Sequence, residues 1–151
     1  MRLLLITNDY PPKPGGIQQY LGNVMNVYPD EWHVIAPADE AAEPDERVSR
    51  SHSSFMWPTP RVAAWVRDRA AEFEPDVVLF GAPYPLPFLG PALRERLGVP
   101  YGILSHGAEV TLPAAAPGTR QAIAKALRDA DVRFAVSQFT DCPGVLGRQD
   151  L

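Results

Sequence analysis

Residues 1–28 read MRLLLITNDYPPKPGGIQQYLGNVMNVY, and this segment decides the fold. Residues 2–7 are an apolar run with a polar end, which predicts a β-strand buried on both faces. Residues 8–16 contain three prolines and end in two glycines, so they form a loop that no helix can cross. Residues 17–28 carry apolar side chains at helical spacing, and Pro29 ends that helix. The segment therefore predicts a strand, a Gly-Gly loop and a helix.

The start of this helix predicts a binding site for an anion. The first turn of a helix presents backbone N–H groups without intrahelical partners and a partial positive charge. Gly15 and Gly16 have no side chains, so a phosphate or diphosphate can approach the backbone there. The alternative is a plain loop whose glycines only provide a positive φ angle. The order strand, loop, helix favours the anion site.

Length and composition are those of one ordinary domain. The chain has 151 residues, of which 46% are hydrophobic, and this is enough for one sizeable core. The net charge of −4 argues against a general nucleic-acid-binding protein, which needs a basic face. Cys142 is the only cysteine, which excludes an intrachain disulfide and a cysteine-rich metal site. The apolar start is too short for a signal peptide or a membrane span, so we expect a cytoplasmic protein.

The rest of the chain alternates strands and helices. Further strands are predicted at residues 32–36, 76–81, 99–104 and 131–137, with a short edge strand near Val48. Helices are predicted at residues 61–73, 88–97 and 119–130. This alternation predicts an α/β fold: a Rossmann-like, mainly parallel sheet with helices on both faces. We expect this domain to span residues 1–140, followed by a truncated or irregular tail at residues 141–151.

Ligands of such sheets bind outside the carboxyl ends of the strands, where four predicted loops meet. These loops are residues 8–16, 81–87, 105–109 and 137–140. His106 directly follows a buried strand, and its imidazole can donate a hydrogen bond to a sugar hydroxyl or act on developing charge. The alternative for His106 is a loop histidine fixed by a backbone hydrogen bond. His33 and His52 are interpreted as structural or solvated.

Three polar side chains lie near the glycine doublet in the sequence. Gln18 stands at the predicted helix start, where its amide can reach a ligand hydroxyl. Asp9 and Tyr10 flank the same mouth, although Asp9 can instead cap a turn and Tyr10 can simply pack. No His, Asp or Glu set has metal-ligand spacing, and the dinucleotide and P-loop glycine patterns are missing. These absences argue against a metal site, a nicotinamide dehydrogenase and an NTPase.

Two segments have both a structural interpretation and a binding one. The apolar cluster at residues 55–57 (FMW) is interpreted as local core rather than as a binding surface. Arg61, Arg67 and Arg69 on the predicted second helix could touch anionic lipid head groups. Acidic residues are interleaved with them, so a solvated face is the preferred interpretation.

Six short motifs occur in order along the chain: residues 7–12 (TNDYPP), 15–18 (GGIQ), 75–78 (PDVV), 105–109 (SHGAE), 117–120 (PGTR) and 137–140 (SQFT). Together they resemble the N-terminal domain of GT-B glycosyltransferases of the retaining, family-four type. The nearest likeness is to actinobacterial phosphatidylinositol mannosyltransferases, especially those that add the second mannose. The resemblance therefore implies the N-terminal half of a GT-B fold.

This resemblance also implies a reaction and a donor side. A hexose, mannose by analogy, passes from a nucleotide-sugar such as GDP-mannose to a hydroxyl of a lipid or glycoside acceptor, a phosphoinositide glycolipid by analogy. The anomeric configuration is retained, and neither a metal nor another cofactor is required. By the same analogy Gly15 and Gly16 contact the donor diphosphate. His106 is implied as the catalytic residue, in contact with the transferred sugar.

The acceptor side follows from the same resemblance, which implies that Tyr10, Gln18 and Glu109 face the acceptor. The family's second domain, which supplies most nucleotide contacts, is not found in these 151 residues. We therefore predict that this chain transfers no sugar without that domain, supplied in the same polypeptide or in another. Peripheral contact with the inner face of the plasma membrane is left open. The competing hypothesis is a non-catalytic Rossmann-like module that binds a phosphate-bearing ligand or a protein.

Overall fold

The computed structural model describes residues 1–106 and 118–135, which build one parallel β-sheet with helices on both faces. Its six strands lie in the spatial order β3-β2-β1-β4-β5-β6. They are β1 (Leu3–Ile6), β2 (Trp32–Ala36), β3 (Val48–Arg50), β4 (Val77–Phe80), β5 (Tyr101–Ser105) and β6 (Val132–Ala135). Every neighbouring pair is parallel. This is the strand order of a Rossmann-like unit, and it confirms the predicted fold class.

Four α-helices connect these strands in the described part of the chain. They are α1 (Gly16–Val27), α2 (Pro60–Phe73), α3 (Gly90–Leu97) and α4 (Thr119–Asp129). The start of α2 is fixed by its sequence, because the Thr59 hydroxyl accepts a hydrogen bond from the Val62 N–H. The third helix differs from its prediction at the start, since residues 86–89 form a separate 3₁₀ turn.

Alternation along the central strand divides the core between the two faces of the sheet. Leu4 and Ile6 belong to the larger cluster, which also holds buried residues of α2, α3 and α4. Leu3 and Leu5 belong to the second cluster, which is packed against α1. Because both faces are covered, β1 is apolar throughout rather than alternating, as its sequence predicts.

The loop after β3 is tied to the end of β1 by one buried side chain. The Asn8 amide donates to the Met56 carbonyl at 3.1 Å, and the Met56 N–H donates to the Asn8 Oδ1 at 2.8 Å. Met56 is fully buried, but Phe55 and Trp57 on either side of it are exposed. The interpretation of residues 55–57 as local core is therefore right for Met56 and wrong for its two neighbours.

The second helix places its charges toward solvent. Arg67 pairs with Asp68 at 3.2 Å, and Arg69 pairs with Glu72 at 2.5 Å. These pairs agree with the predicted solvated face.

No helix in the described residues is both long enough and apolar enough to cross a membrane.

Candidate functional site

The glycine doublet lies at the exposed start of α1. Gly15 precedes the first turn with a φ angle of 148°, and Gly16 is the first helical residue. Both are exposed, and no side chain of the described residues caps this turn by a hydrogen bond. The backbone N–H groups at a helix start carry a partial positive charge and favour an anion. The doublet therefore leaves the main chain at the start of α1 accessible to an anion from the solvent side.

The side chain of Gln18 is held against this doublet. Gln18 is buried, and its Nε2 donates to the Oδ1 of Asp9 at 2.7 Å. Lys13 Nζ donates to the same oxygen at 3.2 Å, in a partly exposed ion pair. A methyl group built on Gly15 would lie 2.1 Å from the Gln18 Oε1. The amide thus has a fixed position beside Gly15, at the mouth predicted from the sequence.

His106 lies at the same end of α1 as the doublet. Its side chain is 6% exposed, and its Nε2 is 2.9 Å from the Gly81 carbonyl oxygen. A carbonyl can only accept, so this nitrogen carries the hydrogen. The Tyr20 ring meets the imidazole edge-on, with centroids 5.6 Å apart. Tyr20 lies one helical turn after Gly16, so the helix that begins at the doublet also contacts the imidazole.

Gly81 brings the end of β4 into close contact with the end of β1. Its N–H donates to the Ile6 carbonyl, and a methyl group on Gly81 would lie 2.5 Å from the Thr7 Oγ1. The Thr7 hydroxyl accepts a hydrogen bond from the Asp9 N–H at 3.0 Å and donates one to the Asp9 carbonyl at 3.2 Å. Gly81, which accepts the hydrogen bond of His106, is therefore packed against the loop that carries Asp9.

Tyr10 is placed differently from the other predicted residues. It is 7% exposed and packs in the core cluster on the α1 face. It also lines a cavity of about 830 Å³ beside Pro11, Gly22 and the loop of residues 41–47. The guanidinium of Arg50 lies 5.8 Å from the centre of its ring. Burial raises the pKa of the Tyr10 phenol and lowers the pKa of the Arg50 guanidinium.

The remaining predicted residues are outside this geometry. Glu109 and residues 137–140 lie outside the described residues. His33 is half-buried and shares a 2.8 Å hydrogen bond with the Ser49 hydroxyl, and His52 is exposed. Among residues 1–106 and 118–135, no three His, Cys, Asp or Glu side chains cluster in a way that could hold a metal ion.

Three residues of this site were not singled out in the sequence analysis, although Lys13 and Gly81 lie in two of the predicted loops. Tyr20 contacts His106, Gly81 accepts its hydrogen bond, and Lys13 pairs with Asp9. The spacing of Tyr20 from Gly16 by one helical turn was a usable signal, because both residues then share one face of α1.

Chemically, the site combines main-chain donors for an anion with an amide and an imidazole suited to hydroxyl groups. Such a set fits a ligand that carries both phosphate and sugar.

Comparison with known proteins identifies the family. The profile of Glycosyltransferase Family 4 matches residues 14–141. A curated relative from Mycolicibacterium smegmatis, a GDP-mannose-dependent alpha-(1-6)-phosphatidylinositol monomannoside mannosyltransferase, is 38% identical over 149 residues. That alignment covers 91% of this chain and 38% of the relative.

A second relative comes from Corynebacterium glutamicum. It is a GDP-mannose-dependent monoacylated alpha-(1-6)-phosphatidylinositol monomannoside mannosyltransferase, 33% identical over 147 residues. The alignment covers 92% of this chain and 38% of that protein. The chain therefore spans less than two fifths of the length of the curated relatives it matches.

Two solved structures share the fold at low identity. The Bordetella bronchiseptica enzyme WbmH, in complex with NAD+, superposes with a TM-score of 0.54 at 10% identity over 91% of this chain and 56% of its own. The enzyme WbmG of the same organism, in complex with NAD, has a TM-score of 0.51 at 15% identity, over 89% and 51%. They show the Rossmann-like architecture only. The sequence match over most of the chain goes further, and by it this chain belongs to Glycosyltransferase Family 4.

Proposed function

We propose that this chain is the acceptor-binding N-terminal part of a retaining mannosyltransferase. Its donor is GDP-mannose, and its acceptor is the mannosylated head group of a phosphatidylinositol glycolipid. The observation that supports the proposal is the contact of the buried His106 with Tyr20, which lies one helical turn after the exposed glycine doublet. The activities of the two mannosyltransferase relatives support the same donor and acceptor.

The reaction assigns a different task to each part of the site. The bond from the anomeric carbon to the diphosphate breaks, and a bond to the acceptor oxygen forms as that hydroxyl gives its proton to the leaving diphosphate. Negative charge grows on the leaving diphosphate, and the N–H groups at Gly15 and Gly16 are placed to stabilise it. His106, whose ring meets Tyr20 one helical turn further along α1, contacts the transferred sugar in this proposal.

In this proposal the acceptor is bound by side chains near the glycine doublet. The fixed amide of Gln18 can exchange hydrogen bonds with acceptor hydroxyl groups. Tyr10 and Glu109 are proposed to complete the acceptor side, Tyr10 through the opening of the cavity it lines. No metal or other cofactor enters this proposal.

Activity needs more protein than these 151 residues. The chain spans less than two fifths of the length of its relatives. The resemblance implies a second domain that supplies most contacts to the nucleotide. We propose that residues 1–140 form the N-terminal domain, that it turns over no sugar without the second domain, and that the assembled enzyme works at the inner face of the plasma membrane.

The test is a nuclear magnetic resonance titration of the ¹⁵N-labelled chain with GDP-mannose and with a water-soluble mannosyl-inositol-phosphate head group. We expect the head group to shift the signals of Gln18 and His106, and Gln18→Ala to weaken its binding about tenfold, the loss of one good hydrogen bond. Gln19→Ala is the matched control, because Gln19 is an exposed neighbour that bonds to Asn23.

Three outcomes would contradict the proposal. Shifts confined to residues far from the α1 start would place the ligand elsewhere. A response to inorganic phosphate with none to the head group would favour the simple phosphate-binding module. Transfer of labelled mannose by the unassisted chain would refute the proposed need for a second domain.

A further inference from the structure

Tyr20 is a partly exposed aromatic residue at the candidate site. It is 36% exposed, and its ring meets that of His106 with centroids 5.6 Å apart and planes at 79°. It lies one helical turn after Gly16, so both residues share one face of α1. An accessible ring is therefore placed in contact with the imidazole and within one helical turn of the glycine doublet.

The other ring systems of the site offer a ligand little surface. His106 is 6% exposed, and its Nε2 donates to the Gly81 carbonyl at 2.9 Å. Tyr10 is 7% exposed and packs in the core cluster on the α1 face. Among the site residues that the structure describes, Tyr20 is therefore the main source of apolar contact for a ligand.

The backbone that carries Tyr20 is anchored on both sides. Gln18 is buried and donates to the Asp9 carboxylate at 2.7 Å. Leu21 is 1% exposed and packs against the end of β4, with a methyl group 3.0 Å from the position of a Cβ built on Gly81. A tyrosine also has only two χ angles, so little conformational entropy is lost when a ligand covers its ring.

The chemistry of an aromatic ring favours the sugar part of a ligand over its phosphate part. The face of the ring carries partial negative charge, which attracts weakly positive C–H groups and repels an anion. One face of a hexopyranose presents several C–H groups, and covering that face removes apolar area from water. The sugar hydroxyl groups stay at the rim, where an amide such as that of Gln18 can bond to them.

We infer that the ring of Tyr20 stacks against a hexopyranose ring of the substrates. The inference rests on the proposed function, in which only polar groups are assigned to the sugars, and it supplies the apolar contact. The mannose of the donor and the mannose of the acceptor head group share the same C–H face. The experiment therefore examines the two ligands separately.

The test observes the ligand protons by nuclear magnetic resonance while the chain is titrated into GDP-mannose or into the soluble mannosyl-inositol-phosphate head group. Protons that lie over an aromatic face move upfield, so we expect upfield shifts of sugar-ring protons in one of the two ligands. Tyr20→Leu should abolish these shifts and weaken binding of that ligand about five- to tenfold. Tyr20→Phe keeps the ring, and should keep the shifts and bind within about twofold.

Two control variants lie on the same helical segment. Tyr28→Leu removes a tyrosine about 18 Å further along the axis of α1, whose hydroxyl donates to the Met1 carbonyl at 2.9 Å. Gln19→Leu changes the exposed residue directly before Tyr20. Both should leave the upfield shifts and the affinity as they are. Circular dichroism melting of each variant verifies that the fold is kept.

The inference is overturned if a ligand binds and its sugar protons do not move upfield, or if Tyr20→Leu binds as tightly as the original chain. Weaker binding by Tyr20→Leu, with no upfield shift in the original chain, would show that Tyr20 only holds His106 in position.

The same titrations separate this inference from the proposed function. Gln18 signals that respond to the head group, while no sugar proton moves upfield, would refute the stacking alone. Upfield shifts that persist in Gln18→Ala with undiminished affinity would refute the proposed amide contact alone. Absence of binding by either ligand would refute both.

Discussion

Gly15 and Gln18 fit together so closely that a methyl group on the glycine would lie 2.1 Å from the glutamine Oε1. The same glycine has a φ angle of +148°, which residues with side chains rarely adopt. Glycine is therefore required at position 15 for two reasons: its backbone has a positive φ angle, and the Gln18 amide packs against it. That amide is the group we propose for recognition of the acceptor.

Gly15→Ala should displace the Gln18 amide and break its 2.7 Å hydrogen bond to Asp9. We expect the free energy of unfolding to fall by about 1–3 kcal/mol, from backbone strain and the lost fit. Side-chain amide signals of Gln18 and urea denaturation measure the two effects. Gly98→Ala is the control: its φ is +70°, but nothing lies within 4 Å of an added methyl group. An unmoved Gln18 signal in Gly15→Ala would show that this fit is wrong.

Gly81→Ala should disturb the imidazole of His106. The new methyl group would lie 2.5 Å from the Thr7 Oγ1 and 3.0 Å from a Leu21 methyl, so the end of β4 must shift. We expect a loss of about 1–3 kcal/mol in the free energy of unfolding, together with altered ring signals of His106. Gly102→Ala, where the nearest atoms are 3.4 Å away, should cost less and leave those signals in place. Equal effects of the two substitutions would argue against this coupling.

Asn8→Ala should release the loop that carries Trp57. Two backbone groups of Met56 lose their hydrogen-bond partner in a buried site, which costs about 2–4 kcal/mol in unfolding free energy. We also expect faster proteolysis next to Phe55, measured by limited digestion and mass spectrometry. The exposed Asn23 provides the comparison, since Asn23→Ala removes one surface hydrogen bond. Resistance of the Asn8 variant to digestion would mean that other contacts hold the loop.

His33 should make stability depend on pH. Burial is the main cause that lowers its pKa below the ordinary 6.5, while Asp45 and Glu72 oppose this and Arg69 adds to it. Below pH 6.5 the unfolded chain then binds more protons at this residue than the folded chain, so the free energy of unfolding falls as pH falls. His33→Gln should reduce that dependence in urea denaturation at several pH values. A dependence on pH that is the same in His33→Gln as in the original chain would contradict this prediction.

The fold was predictable because its signals are local. The apolar run of β1, the proline-rich loop and the stripe of α1 each determine their own structure. The short edge strand β3 was also predicted, within the long loop near Val48. The start of α3 was not, because residues 86–89 carry no stripe that separates a 3₁₀ turn from an α-helix.

The surface around the site was harder to predict. Phe55 and Trp57 are as apolar as Met56, and what turns them outward is the distant bond between Met56 and Asn8. Such a contact joins residues 48 positions apart and leaves no periodic pattern. For the same reason sequence reasoning left open whether Tyr10 flanks the mouth with Gln18 or simply packs, and its ring is buried, with the Arg50 guanidinium 5.8 Å from its centre.

The hydrogen bond between His106 and the Gly81 carbonyl also restricts how the imidazole can act. The hydrogen on Nε2 points into the protein, toward the Gly81 carbonyl. Nε2 therefore cannot abstract a proton from an incoming hydroxyl, and it has no free lone pair with which to bind a metal ion. The contribution of this nitrogen to sugar transfer is accordingly to orient the imidazole ring rather than to transfer a proton.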